Sequence, residues 1–223
     1  MLARAVDLIV SGDREVFFIA FTSLKFALSS TVISTCLALP LGLLLSLHPF
    51  RGKKLVIITL NSLMALPTVV IGLLVYSLIS RSAPLGRYEL LFTPSAVIIG
   101  QVILSFPIIA SLVYSALSHM EPELLETLDT LGTKGYRKYI LLINESKIAL
   151  LSALLSGFGR VIGEVGVSMM LGGNIRWYTR TITTTIALET SKGDFELALA
   201  LGIILIVISL TVNFLLHWRI HYE

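Results

Sequence analysis

The chain has 223 residues, of which 55% are hydrophobic and only 14% are Asp, Glu, Lys or Arg. A soluble domain carries about 25% charged residues, so this composition, with a mean hydropathy of +0.89, excludes an ordinary water-borne enzyme and places most of the chain in lipid. The net charge of +3 requires no nucleic acid, because basic loops facing a cytoplasmic leaflet account for it.

This length holds about five membrane spans of ~20 to 30 residues and little else. Residues 2–12 form a weakly amphipathic segment, with Ala5, Leu8 and Ile9 against Arg4, Asp7 and Asp13, suited to a helix at the interface. The apolar run that follows is too long for a signal peptide and lacks a small-residue cleavage pattern. A first span is predicted over residues 16–47, with Lys25 snorkelling near its start and Pro40 and Gly42 kinking its second half. Cys36, the single cysteine, lies inside this run and reads as a small buried hydrophobe. Residues 48–54 make a short basic loop. The second span covers residues 55–80. Pro67 near its centre removes one backbone hydrogen bond and clashes with the preceding turn, so this helix must bend or open. At membrane depth such a break is tolerated only inside protein or beside a wet cavity. After a loop over residues 81–93, the third span covers residues 94–117 and carries a second mid-span proline in Ser105-Phe106-Pro107. The fourth covers residues 148–171 and the fifth residues 196–216. The segment between them, residues 174–195, reads as a polar, threonine-rich loop.

Residues 121–147 form a polar stretch between the third and fourth spans. Pro122 suits a first helical position, and Glu121 and Glu123 suit the positive helix end. Leu124, Leu128 and Leu131 fall on one apolar stripe, with Leu125 beside it and Glu126 and Asp129 off it. Gly132 or Gly135 ends the helix, and Lys134, Arg137 and Lys138 follow where cations suit a C-terminus. A short amphipathic helix lying along the membrane surface is a docking element. Glu126, followed five residues later by Gly132, resembles the "EAA loop" of binding-protein-dependent ABC importer permeases, whose helix inserts into a groove on the ATPase subunit. Thr127 and Leu128 stand where that pattern has alanines, and Asn144-Glu145 where it has Leu-Pro.

The sequence offers no P-loop pattern, no metal-ligand spacing among its four histidines and one cysteine, and no nucleophile–base arrangement. In the fourth span Arg160 and Glu164 lie four residues apart, share a helical face and can pair. Charges in such a span face the bundle or a cavity. The pair reads either as a gate at a pathway or as a clamp between helices. Gly159 and Gly163 form a G-x-x-x-G, extended by Gly166, that suits close helix packing or substrate contact. An anion in transit needs donors rather than a fixed cation that would trap it. Thr68 beside Pro67, Ser105 beside Pro107, and Ser168 are candidate donors; each is equally a candidate back-bonding hydroxyl in a kinked helix.

The run R-V-I-G-E-V-G followed by L-G-G-N resembles the R-x-x-G-E-x-G…G-N pattern of permeases for tetrahedral oxyanions, namely sulfate, molybdate and tungstate. Residues 179–203, T-R-T-I-T-T-T-I-A-L-E-T-S-K-G-D-F-E-L-A-L-A-L-G-I, look most like the tungstate branch. The resemblance covers residues 7–216. It implies a type I ABC importer permease fold, all-α and polytopic, as one transmembrane domain over residues 1–223 with an EAA-like loop at about residues 119–147. It implies no cofactor in this chain, ATP-Mg bound by a partner ATPase present in two copies, an extracytoplasmic oxyanion-binding protein, and a second permease copy. It implies ATPase coupling through Glu123, Leu125, Glu126, Asp129 and Gly132. The pathway or gate candidates are Pro67, Thr68, Ser105, Pro107, Arg160, Gly163, Glu164 and Ser168. Positive charges alone do not decide the orientation; the resemblance puts the EAA-like loop and the C-terminus in the cytosol and the N-terminus outside. Compared with longer molybdate permeases, the chain is expected to lack a first N-terminal span and a C-terminal regulatory domain. The rival is a self-sufficient channel or secondary transporter, disfavoured by an odd span count and the lack of an inverted repeat.

Overall fold

The computed structural model describes residues 1–120, 130 and 136–222, with side chains through Phe214. The expected coupling residues Glu123, Leu125, Glu126, Asp129 and Gly132 lie outside the described residues. The remainder is helical: α1 (Leu2–Val10), α2 (Arg14–Leu47), α3 (Lys53–Met64), α4 (Thr68–Ile79), α5 (Pro94–Ser118), α6 (Tyr136–Glu145), α7 (Lys147–Ile162), α8 (Gly166–Gly172), α9 (Ile182–Lys192) and α10 (Phe195–Tyr222), with a 3-10 turn at Gly86–Tyr88. Three helices, Arg14–Leu47, Pro94–Ser118 and Phe195–Phe214, are long and apolar enough to cross a membrane. The count rises to five if the bent pairs α3/α4 and α6/α7, with angles of 103° and 77°, are each one span.

The spine is the α2–α5 pair. Asp13 starts α2 by accepting hydrogen bonds from the Glu15 and Val16 amides at 2.9 and 3.0 Å. Thr93 caps α5, and Pro94 takes a position where its missing N–H is no loss. Along the seam Ser30 Oγ donates to Gln101 Oε1 at 3.1 Å, and the hydroxyls of Ser34 and Ser105 lie 2.6 Å apart. Leu45, Ile109, Val113, Leu142 and Leu150 form an apolar cluster at the α6 end, while Ala27, Phe158, Val161 and Ile162 join α2 to α7. In lipid these contacts stabilise by close packing rather than by escape from water.

Several expectations are corrected. Cys36, expected to be buried, is exposed, and α2 stays helical from Arg14 to Leu47 through Pro40 and Gly42. The fourth span is not continuous: it breaks after Ile162 and restarts at Gly166. The supposed loop over residues 174–195 contains α9, whose cap Thr181 and first-turn Thr183, Thr184 and Thr185 are buried. Its threonines satisfy one another and the backbone: Thr181 and Thr184 form a reciprocal capping box, and Thr185 Oγ1 donates to Thr181 O at 2.7 Å. A polar composition here marks a self-bonded buried helix, not a solvated loop. The G-x-x-x-G face is left open: among the described residues no atom of another helix lies within 4 Å of a Cβ placed at Gly159 or Gly163, which leaves it free for contact with a second copy.

Candidate functional site at two broken helices

The bend at Pro67 is the one the sequence predicts. Leu66 precedes a proline and is steered away from helical geometry, and Pro67 itself takes φ −62°, ψ 130°. Its carbonyl then accepts the first bonds of α4, from Val70 and Ile71 N at 3.0 and 3.2 Å. Every residue from Asn61 to Pro67 is exposed, so the elbow is unpacked on its outer side.

The second break needs no proline. Glu164 N closes α7 with a tight bond to Val161 O at 3.2 Å. The Glu164 side chain then turns forward, and its Oε1 accepts from Val167 N at 3.2 Å, capping α8. Its Oε2 accepts from Arg160 Nη1 at 2.9 Å, and its main-chain carbonyl accepts from Thr183 Oγ1 at 2.7 Å. Glu164 is 4% exposed, whereas the Arg160 side chain is 36% exposed. The pair therefore has a sheltered end and an open end. One carboxylate neutralises a cation and satisfies a helix start, the kind of charge-assisted bonding that makes a buried ion tolerable.

The two breaks meet. A Cβ added at Gly166 would lie 3.0 Å from Val69 Cγ2, 3.1 Å from Thr68 Oγ1 and 3.3 Å from Glu164 Oε1. The glycine lets the first turn of α8 touch the first turn of α4. The structure thus brings together Pro67, Thr68, Arg160, Gly163 and Glu164, with Gly166 as the contact. Ser168 is also on α8; it is buried, and its hydroxyl has no hydrogen-bond partner. Ser105 and Pro107 stand apart from this group. Both are buried in α5, where Ser105 Oγ bonds Gln101 O at 2.8 Å and faces Ser34.

Thr183 was missed by sequence reasoning. The signal was its place in the threonine run, but only a helix there could aim it at Glu164 O. Among the described residues no group of three or more His, Cys, Asp or Glu could hold a metal ion. What the arrangement offers is a polar, ion-paired point where two interrupted helices meet.

An all-helical membrane chain with two broken spans joined at one charged point has the architecture of a transport permease. The chain belongs to the family described as binding-protein-dependent transport system inner membrane component, whose model matches residues 38–219. It is a multi-pass permease subunit of an ABC importer, not an enzyme. It is similar to the tungstate uptake system permease protein of Peptoclostridium acidaminophilum, with 41% identity over 94% of this chain and 92% of the relative. It is similar also to the one of Campylobacter jejuni, with 37% identity over 95% and 93%. The fold matches an inward-facing structure of the MetNI methionine ABC transporter with a TM-score of 0.71 over 93% of this chain and 94% of that one, at 16% identity. The expected type I importer permease fold and the resemblance to the tungstate branch both hold.

Proposed function

We propose that this permease moves an oxyanion, tungstate, across the cytoplasmic membrane through a passage beside the Pro67 and Gly163–Val165 breaks. The observation that carries the reading is the junction at Gly166, where a threonine hydroxyl, a capped helix start and an ion pair with an open end converge. First-turn amides and hydroxyls hold an anion weakly enough to release it. Both relatives named above are tungstate uptake permeases, which supports the choice of ion.

The working unit is a homodimer with two ATPase copies inside and an oxyanion-binding protein outside. The open face at Gly159, Gly163 and residues 61–67 is where a second copy fits, because small residues let helices approach in lipid. The N-terminus is outside, and the segment around residues 119–147 is cytosolic. Glu123, Leu125, Glu126, Asp129 and Gly132 engage the ATPase, which alone binds ATP-Mg. ATPase closure draws the coupling helices together and opens the passage outward.

The test is tungstate uptake by cells that depend on this permease, measured by elemental mass spectrometry. Glu126→Lys reverses a charge at the ATPase contact, and Gly132→Val penalises a turn that favours glycine. Both variants should insert normally and lose uptake. Uptake unaffected by either variant, or proceeding without the ATPase, would sink the reading in favour of a self-sufficient channel.

A further inference from the structure

The last three turns of α2 lie away from the two broken helices. Cys36, Pro40, Leu44 and His48 stand four residues apart in succession, so they form one stripe along the helix. All four are exposed, Leu44 by 47%. Beside the stripe, Leu39 and Leu43 are half-buried and rest on the cluster that contains Leu45, Ile109 and Leu142. His48 ends the helix in extended geometry, and Pro49 after it cannot continue the helix.

Helix α6 reaches this end of α2, where the Tyr139 hydroxyl lies 3.2 Å from His48 Nε2. Between the two helices is a cleft of about 290 Å³ lined by Leu39, Pro40, Leu43, Leu44, His48 and Tyr139. Its polarity is one-sided. Four apolar side chains line the part further back along α2, and an imidazole and a phenol close the end where α2 stops. The adjoining chain is basic. Arg51, Lys53 and Lys54 follow His48, and α6 opens with Arg137 and Lys138. The one carboxylate in residues 48–54 and α6 is Glu145, at the far end of α6.

These features suit an amphiphile with a negative head. Because α2 is long and apolar enough to cross a membrane, its last turn stands at a membrane surface, and the exposed stripe above it faces hydrocarbon. Basic residues beside a span end attract anionic headgroups, and a pocket between helices adds a place for the chain. Lys53 leans over the Tyr114 ring of α5, 5.7 Å from its centre, so the cations assigned to the head are Arg51 and Arg137.

We propose that the cleft between α2 and α6 holds one anionic phospholipid. An acyl chain runs along Pro40 and Leu44, the phosphate region meets His48 and Tyr139, and Arg51 and Arg137 meet the charge of the head. The proposed topology makes this the cytoplasmic leaflet and α6 the helix that follows the ATPase-coupling segment; the binding itself does not depend on that topology. An occupied cleft holds α6 against α2 and so ties the coupling segment to the lipid composition of the inner leaflet.

The test is native mass spectrometry of the complete permease–ATPase complex in mild detergent, offered phosphatidylglycerol or phosphatidylcholine of equal chain length. The parent should retain one phosphatidylglycerol per permease copy and bind it about tenfold more tightly than phosphatidylcholine. Leu44→Trp fills the cleft from an exposed position and should lower retention about tenfold. Arg51→Gln should weaken binding about fivefold, the effect of one cation near an anionic surface, and it keeps the test open if Leu44→Trp fails to assemble. Leu28→Trp, at an exposed position of α2 outside the cleft, should change nothing. Equal retention of the two lipids, or equal retention by Leu44→Trp and Leu28→Trp, overturns the site. Retention only after the ATPase is stripped away would show that the ATPase covers the cleft and would also overturn it. None of these outcomes touches uptake through the Gly166 junction, so the permease reading stands or falls separately.

Discussion

Pro107 and Pro67 both stand inside apolar stretches of one chain, and the helix continues through the first but turns by 103° at the second. The difference lies in the neighbours. Pro107 is buried, with Leu104, Ser105, Ile109 and Ala110 around it almost wholly covered and α5 packed against α2 on one side and α7 on another. Helical continuity there is held from outside the helix. Residues 61–67 are all exposed, and close packing at this elbow begins only at Thr68 and Val69, where α4 meets Gly166. A proline removes one hydrogen bond in either place, and the surrounding packing decides whether the helix breaks. The break at Gly163–Val165 makes the same point without a proline, because Glu164 caps the new helix and makes the interruption stable.

The largest effect that would break this comparison is expected at the ion pair. Arg160→Gln strands a buried carboxylate and should lower stability by about 3 to 5 kcal/mol unless Glu164 takes up a proton. Glu164→Gln loses both the partner of Arg160 and a charged cap on α8. The exchange Arg160→Glu with Glu164→Arg keeps the pair, but an arginine cannot accept the Val167 N–H. It should therefore recover folded protein, read by thermal unfolding in detergent, without recovering uptake. Recovery of both would show that the cap on α8 does not matter.

An intermediate effect is expected at the junction. Gly166→Val forces Thr68, Val69 and Glu164 apart, an overpacking cost of about 1 to 3 kcal/mol. Uptake should fall more steeply than membrane level, since the change separates the two breaks without touching the α2–α5 spine. Equal losses in both would mean that the junction only holds the fold.

The smallest effect belongs to the prolines and sharpens the contrast directly. Pro107→Ala should alter thermal stability by about 1 kcal/mol or less and leave uptake near normal, because packing already fixes that helix. Pro67→Ala removes the clash that keeps α3 and α4 apart and should reduce uptake while the protein still inserts. If Pro107→Ala abolished uptake and Pro67→Ala did not, the roles assigned to the two regions would be reversed.

Several features were legible in the amino-acid order because they depend on neighbours along the chain. The membrane class follows from composition, and the spans from runs of apolar residues. The elbow at Pro67 follows from the geometry of proline. The Arg160–Glu164 pair follows from the helical repeat, and their 2.9 Å contact agrees with it. Other features depend on which elements end up touching. The continuous helix through Pro107, the interruption after Ile162 and the burial of the α9 threonines are all of this kind. So are the use of Glu164 Oε1 as a cap and the bond from Thr183, nineteen residues away. A hydroxyl or carboxylate has the same local sequence whether its partner is water or a distant carbonyl. Only the assembled helices choose between them, because in lipid each polar group must find its partner inside the protein.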